Sequence, residues 1–277
     1  MTQLPMFGQP PDEPELKPSS DQAVRLQLVI TVKAAPNPSE KYGETVCVAG
    51  LSIDPERPGW IRLYPINFRE LGEKESFRKY QIVSVDAVPA RQDSRRESWR
   101  PRMDTLAIDG KLSRKQRKLW IEPAIGTTTM CRLNRDATRD SPSLGLVRPA
   151  RVIGLKIEKH PGWTKDQQAK LDQYASQYDL FGDSDRTPLQ APRFTGAYHY
   201  VCEEPGCKGH QQNLIDWEFV ALQRRLLDRD DASARSALEQ RFLHEMCAPD
   251  RDLAFYVGNM ALHPRAFSVL GVYWPAR

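Results

Sequence analysis

Cys202, Cys207 and His210 are the residues best suited to chemistry in this chain. They are spaced Cys-x4-Cys-x2-His, with Gly206 and Gly209 between them. Two thiolates and an imidazole at short spacing, in a segment that can curl, suit a tetrahedral zinc ion. A closed structural site needs a fourth ligand. His199, His244 and Cys247 are the candidates, and Cys247 completes the expected set. Buried free thiols beside a loop histidine are the alternative.

Asp216 and Glu218 follow, separated by Trp217. On an extended segment both carboxylates would share a face. With His210 they could hold a hard divalent cation for phosphodiester hydrolysis. If a helix begins at Asp216, the same pair is a cap and a first-turn acid at the positive helix end. The phosphate-cradling Gly-x4-Gly-Lys-Ser/Thr motif, the dinucleotide fingerprint and the Gly-x-Ser-x-Gly elbow are all missing from the sequence. Cys47 and Cys131 sit in apolar surroundings and read as core thiols.

Charge gives the second functional signal. The chain carries a net +4, but residues 91–118 hold ten cations and four acids, or +6. Arg95, Arg96, Arg100, Arg102, Arg114, Lys115, Arg117 and Lys118 form the expected contact set for a polyanion such as DNA or RNA. Trp99 and Trp120 flank it, where a ring could stack on an unpaired base.

The elements that must position these residues fall into parts. Residues 1–22 are proline-rich and acidic with few apolar side chains, and read as a disordered tail. Residues 23–160 carry short strands joined by turns, which suits a small barrel or a strongly bent sheet with a basic face. An oligonucleotide-binding barrel, a barrel of the pseudouridine-synthase-associated type and an unrelated fold all remain open. Within it, Trp60 and Arg62 alternate with Ile61 and Leu63, so one strand face is expected to be polar. Residues 161–192 read as a helix, opened by Thr164 and Gln167 as a capping box, and then a linker. Residues 193–277 run strand, helices, strands and form an α+β domain with the Cys/His cluster. The fold class expected for the whole is α+β.

Two segments suggest a partner. Gln3, Leu4, Met6 and Phe7 lie in the tail, and Gln177, Leu180 and Phe181 lie near the end of the helix. Both resemble the short peptide by which bacterial DNA-processing proteins dock on the replicative sliding clamp. In such peptides the Gln anchors by hydrogen bonds and the apolar residues fill a pocket. The resemblance covers about five residues each time, and it implies a partner and a place, not a reaction. Pro5 departs from the commoner Ser or Asp.

Five unevenly spread cysteines do not suit a disulfide framework. No long apolar run suggests a membrane span, and no secretory signal is evident. A cytoplasmic accessory protein of DNA replication, repair, mobile-element or phage-defence processes is the leading expectation. A metal-dependent nuclease on His210, Asp216 and Glu218 is the alternative, and an RNA or modified-base reader is a third.

Overall fold

The computed structural model of the chain describes residues 21–39, 43–67, 71, 76–93, 95–137, 141–179 and 189–277. The fold is α+β: a closed five-stranded barrel, a second sheet, and five α-helices among the described residues. The tail segment Gln3–Phe7 lies outside these residues, as do Leu180 and Phe181.

The barrel is built from β1 (Val24–Lys33), β3 (Gly43–Ser52), β4 (Trp60–Ile66), β6 (Ser98–Pro101) and β5 (Gln81–Pro89), hydrogen-bonded in that order. β5 returns to β1 antiparallel, from Val24 opposite Ala87 to Val29 opposite Ile82, and so closes the ring. β4 and β6 pair in parallel, and the other ring pairs are antiparallel. Two short strands add to the outside: β2 (Asn37–Ser39) on β3, and β7 (Ala107–Lys111) on β5. Closure demands bent strands, and register breaks at Ile30/Val32 and Val46/Val48 supply the bends. Leu26, Leu28, Ile30, Leu63, Val83, Val85 and Phe77 fill the interior.

Trp99 is in that interior too, 8% exposed. It is a packing residue and not the base-stacking ring its flanking position suggested. Trp120 is half-buried against the core shared by the two sheets.

The second sheet runs β8 (Leu144–Val147), β12 (Ala254–Met260), β13 (His263–Tyr273), β11 (His210–Leu214), β10 (Phe194–Cys202), β9 (Pro149–Lys159). β9, which a boundary at residue 160 would assign to the N-terminal part, pairs with β10 from Phe194 opposite Lys159 onward. The change of sheet falls between Lys111 and Leu144.

β12 explains why this sheet is apolar on both faces. Phe255 and Val257 point to a core with Phe219, Leu238 and Phe242 from the helical side. Ala254 and Tyr256 point to a core with Val32, Ala49 and Leu51 of the barrel. A sheet covered on both sides reads as a continuous apolar run, which β12 is.

The helices are α1 (Arg114–Ile121), α2 (Met130–Arg135), α3 (Lys165–Asp179), α4 (Trp217–Arg225) and α5 (Asp231–Glu239). α5 runs on into a π-helical turn over Gln240–Glu245. The expected capping box at Thr164/Gln167 forms, and α1 carries a second one at Ser113/Gln116.

Polar links tie barrel to sheet. Arg62 on β4 is 3% exposed, which overturns the expected polar strand face. Its Nη2 donates to Ser143 O (3.1 Å) and Oγ (2.9 Å), and Nη1 lies 3.1 Å from Cys47 Sγ. Glu97 accepts from the Ser143 N–H at 2.7 Å. The face is covered by the chain entering the second sheet, so the guanidinium finds its acceptors there.

Candidate metal centre and basic cleft

Four side chains converge beside α2. Cys202 ends β10, Cys207 lies in the connecting turn, and His210 begins β11. Gly206 and Gly209 hold φ of +76° and +102°, the left-handed region that lets this short turn fold back. The fourth member is Cys131, from the first turn of α2. One ligand atom from each of the four lies within 4.8 Å of the others. His210 Nε2 is 3.3 Å from Cys207 Sγ and 3.4 Å from Cys131 Sγ. For tetrahedral zinc, with bonds of about 2.0–2.3 Å, the ligand atoms stand roughly 3.6 Å apart. The donor set and its spacing therefore fit a metal ion.

The surroundings brace this set. The Gly209 N–H points at Cys207 Sγ (3.4 Å). Thr129 caps α2 and donates to Glu204 in the turn (2.8 Å), which Arg135 also reaches (3.1 Å). These bonds fix α2 against the turn, as outer-shell partners do at metal sites. Partial burial lowers the His210 pKa and favours the neutral imidazole a metal needs. Burial and the adjoining thiols push Cys131 up to about 12. Burial disfavours the Cys207 thiolate as well, yet the Gly209 N–H and the neighbouring thiols bring its pKa below the ordinary value. Three thiols this close ionise together only around a cation.

Cys247, the expected fourth ligand, is elsewhere. Its Sγ donates to Phe242 O (3.4 Å), and burial pushes its pKa up to about 12. The sequence around Cys131 suits a core thiol, and nothing in its spacing ties it to a segment some seventy residues on.

The second feature is a cleft of about 870 Å³ where the barrel side meets the helical side. α1 contributes Arg114, Arg117 and Lys118, and Lys79 and Tyr80 precede β5. Arg225 of α4, Arg241 of the π-helical turn and Arg251 come from the second part. Among the described lining residues Glu218 is the lone acid. Arg117 lies over the Tyr80 ring, 4.2 Å from its centroid. Arg241 and Arg251 lie 4.5 and 5.2 Å from the Trp274 ring. Tyr80 has φ of +68°, a conformation non-glycine residues avoid.

At the edge of the cleft sits a buried charge group. Lys79 Nζ donates to Val272 O (3.2 Å) and lies 3.9 Å from Glu218. Burial would lower its pKa, but Glu218, Tyr80 and Asp216 raise it above the ordinary lysine value. Burial drives Asp216 the other way from a normal carboxylate, up to about 7, although Lys79 and Lys33 oppose this.

Residues 126–277, more than half the chain, match the family described as "Domain of unknown function (DUF8757)". The chain belongs to the DUF8757 family. Residues 24–123 match a second family model, "Domain of unknown function (DUF8758)". No curated protein and no solved structure matches. The four residues that could hold a metal all lie in the DUF8757 part, whereas the cleft draws residues from both matched regions.

The other expected site residues separate. Arg95 is half-buried, paired with Asp93 at 2.6 Å and donating to Asn259 O at 2.8 Å. It joins barrel to DUF8757 sheet instead of facing solvent. Arg96 is half-buried as well, while Arg100, Arg102 and Lys115 are exposed outside the cleft lining. His210, Asp216 and Glu218 do not meet as a hydrolytic trio. His210 belongs to the cysteine cluster, and Asp216 caps α4 by accepting from the Glu218 N–H at 2.8 Å. The cleft residues Lys79, Tyr80, Arg225, Arg241, Arg251 and Trp274 carried no motif. Their scatter along the chain left only basic character as a signal.

Proposed function

We propose that this DUF8757 chain is a nucleic-acid-binding accessory protein, clipped by structural zinc and recruited to the replication sliding clamp by its tail. The cleft carries this reading. Arg114, Arg117 and Lys118 of α1 face Arg225, Arg241 and Arg251 across a space with one acidic lining residue. Such an arrangement concentrates positive potential and suits a phosphate backbone.

Zinc is the metal that three thiolates and one imidazole select. Its five cysteines are all free, which suits a reducing, cytoplasmic setting. No helix among the described residues is long and apolar enough to cross a membrane. The peptide at Gln3, Leu4, Met6 and Phe7 supplies the link to the clamp. Joining a clamp peptide to a modest nucleic-acid site raises the effective concentration of each for its target.

The test is binding of a fluorescent oligonucleotide to full-length protein across a salt series. Affinity should fall steeply between about 50 and 200 mM salt. Arg114→Glu/Lys118→Glu should weaken binding and reduce the salt slope by about two, one for each lost phosphate contact. Arg100→Glu/Arg102→Glu should change both far less. Affinity that stays flat with salt, or that ignores the α1 substitutions, would remove the cleft from this role.

A further inference from the structure

We infer that the cleft takes one nucleic-acid strand by its phosphates and leaves the bases outside. This rests on the nucleic-acid reading above and specifies what that site recognises.

Size is the first ground. A space of about 870 Å³ lies within the range of small-ligand pockets, roughly 300–1,000 Å³. One strand can enter it, whereas a duplex could only lie across its mouth.

The second ground is what covers the rings. Proteins that hold single strands through their bases offer aromatic faces as stacking platforms. Here Arg117 lies 4.2 Å from the centroid of Tyr80, and Arg241 and Arg251 attend Trp274. Tyr273 is 2% exposed and belongs to the core between the sheets. The two partly exposed rings of the lining, Tyr80 and Trp274, therefore each have a guanidinium against them.

The Tyr80 contact prepares Arg117, whereas Arg241 and Arg251 also pair with Glu245 (2.7 Å) and Asp250 (3.5 Å), which a phosphate would have to displace or share. A guanidinium resting on a ring has already lost much of its rotamer freedom, so forking a phosphate costs less further ordering. Glu218 would repel a phosphate, but it lies beside Lys79 at 3.9 Å, which offsets its charge. Ala221, Ala237 and Ala276 give the wall small apolar side chains against which a sugar can pass without a stacking partner.

The experiment compares three probes of equal length on the full-length protein: an oligo-dT strand, an abasic deoxyribose-phosphate strand, and the dT strand paired with its complement. The abasic strand should bind within about threefold of oligo-dT, since stacking would be worth at least about fivefold per base. The duplex should bind at least tenfold more weakly. Arg225→Glu, at an exposed position, should weaken the dT and abasic strands by the same factor. An abasic strand that loses tenfold or more, or a duplex that binds as well as the single strand, overturns the inference and leaves nucleic-acid binding standing. Failure of all three probes to bind at low salt overturns the nucleic-acid reading itself, and the inference with it.

Discussion

Cys131 Sγ lies 3.4 Å from His210 Nε2, although 79 residues separate the two in the chain. This contact adds a fourth possible ligand to the three of the turn and ties α2 to the β10–β11 connection. Metal binding here would also be folding free energy, because the unfolded chain does not hold the four ligands together.

Purified protein should therefore carry about one zinc per chain by elemental analysis. Cys131→Ser and Cys202→Ser should each lose most of the metal and melt at lower temperature. Cys247→Ser should keep its metal. The reverse pattern, with zinc lost in Cys247→Ser and retained in Cys131→Ser, would mean the ligand set is wrong.

Arg62 supports a prediction about stability. Its guanidinium is buried among Ser143, Cys47 and the backbone near Gly258, and Ser143 is held in turn by Glu97. Removing the guanidinium leaves buried acceptors without a donor, and breaking such a network costs about 3 kcal/mol. Arg62→Ala should lower the urea midpoint accordingly, whereas an exposed change such as Arg100→Ala should be nearly neutral. A loss below about 1 kcal/mol would mean that water replaces the guanidinium, and that Arg62 does not hold the two sheets together.

The contrast between Arg62 and Cys202 shows what one sequence discloses. Cys202, Cys207 and His210 are neighbours in the chain, so their spacing carried the chemistry directly. The α+β class was legible for a similar reason. Alternation in β1 and β10 and the capping box of α3 are local signals. Cys131, Arg62 and the cleft depend on pairing between segments far apart in the chain. β11 was hidden because its His-Gln-Gln-Asn-Leu sequence is polar, and its place comes from pairing with β10. The basic stretch misled in part because charge counting cannot separate Arg95, bound to Asp93, from Arg114 in the cleft.

Asp216 should make stability depend on pH in an unusual direction. Its carboxyl is 3% exposed, and Oδ2 has no hydrogen-bond partner among the described residues. Lys33, Lys79 and Glu218 are the charged groups that act on it. Burial raises its pKa from 3.8 to about 7. Between those values the folded chain binds more protons at this site than the unfolded chain, so its contribution to stability falls as pH rises. The contribution is complete below about pH 4 and gone above about pH 7. Asp216→Asn keeps an oxygen to cap α4 but cannot titrate. Urea midpoints from pH 5 to 7 should decline for wild type relative to the variant, by up to about 1 kcal/mol per pH unit. Parallel profiles would show that Lys79 keeps the carboxylate ionised throughout.

The two clamp-like segments lead to different expectations, because one of them overlaps a helix. α3 extends through Asp179, so Gln177 has helical backbone. A peptide that fills pockets with alternating side chains docks extended. The segment at Gln177, Leu180 and Phe181 would therefore have to unwind the last turn of α3 before it could bind. Residues 1–20 contain five prolines and three acids, a composition that disfavours a helix from the outset. Binding to the cognate sliding clamp, followed by surface plasmon resonance, should thus be abolished by Leu4→Ala/Phe7→Ala. It should survive Leu180→Ala/Phe181→Ala. The double substitution in the tail should leave zinc content and melting temperature unchanged, which separates loss of docking from loss of fold. Wild-type protein that does not bind the clamp would remove recruitment from the proposed function, while the metal centre and the cleft would stand on their own tests.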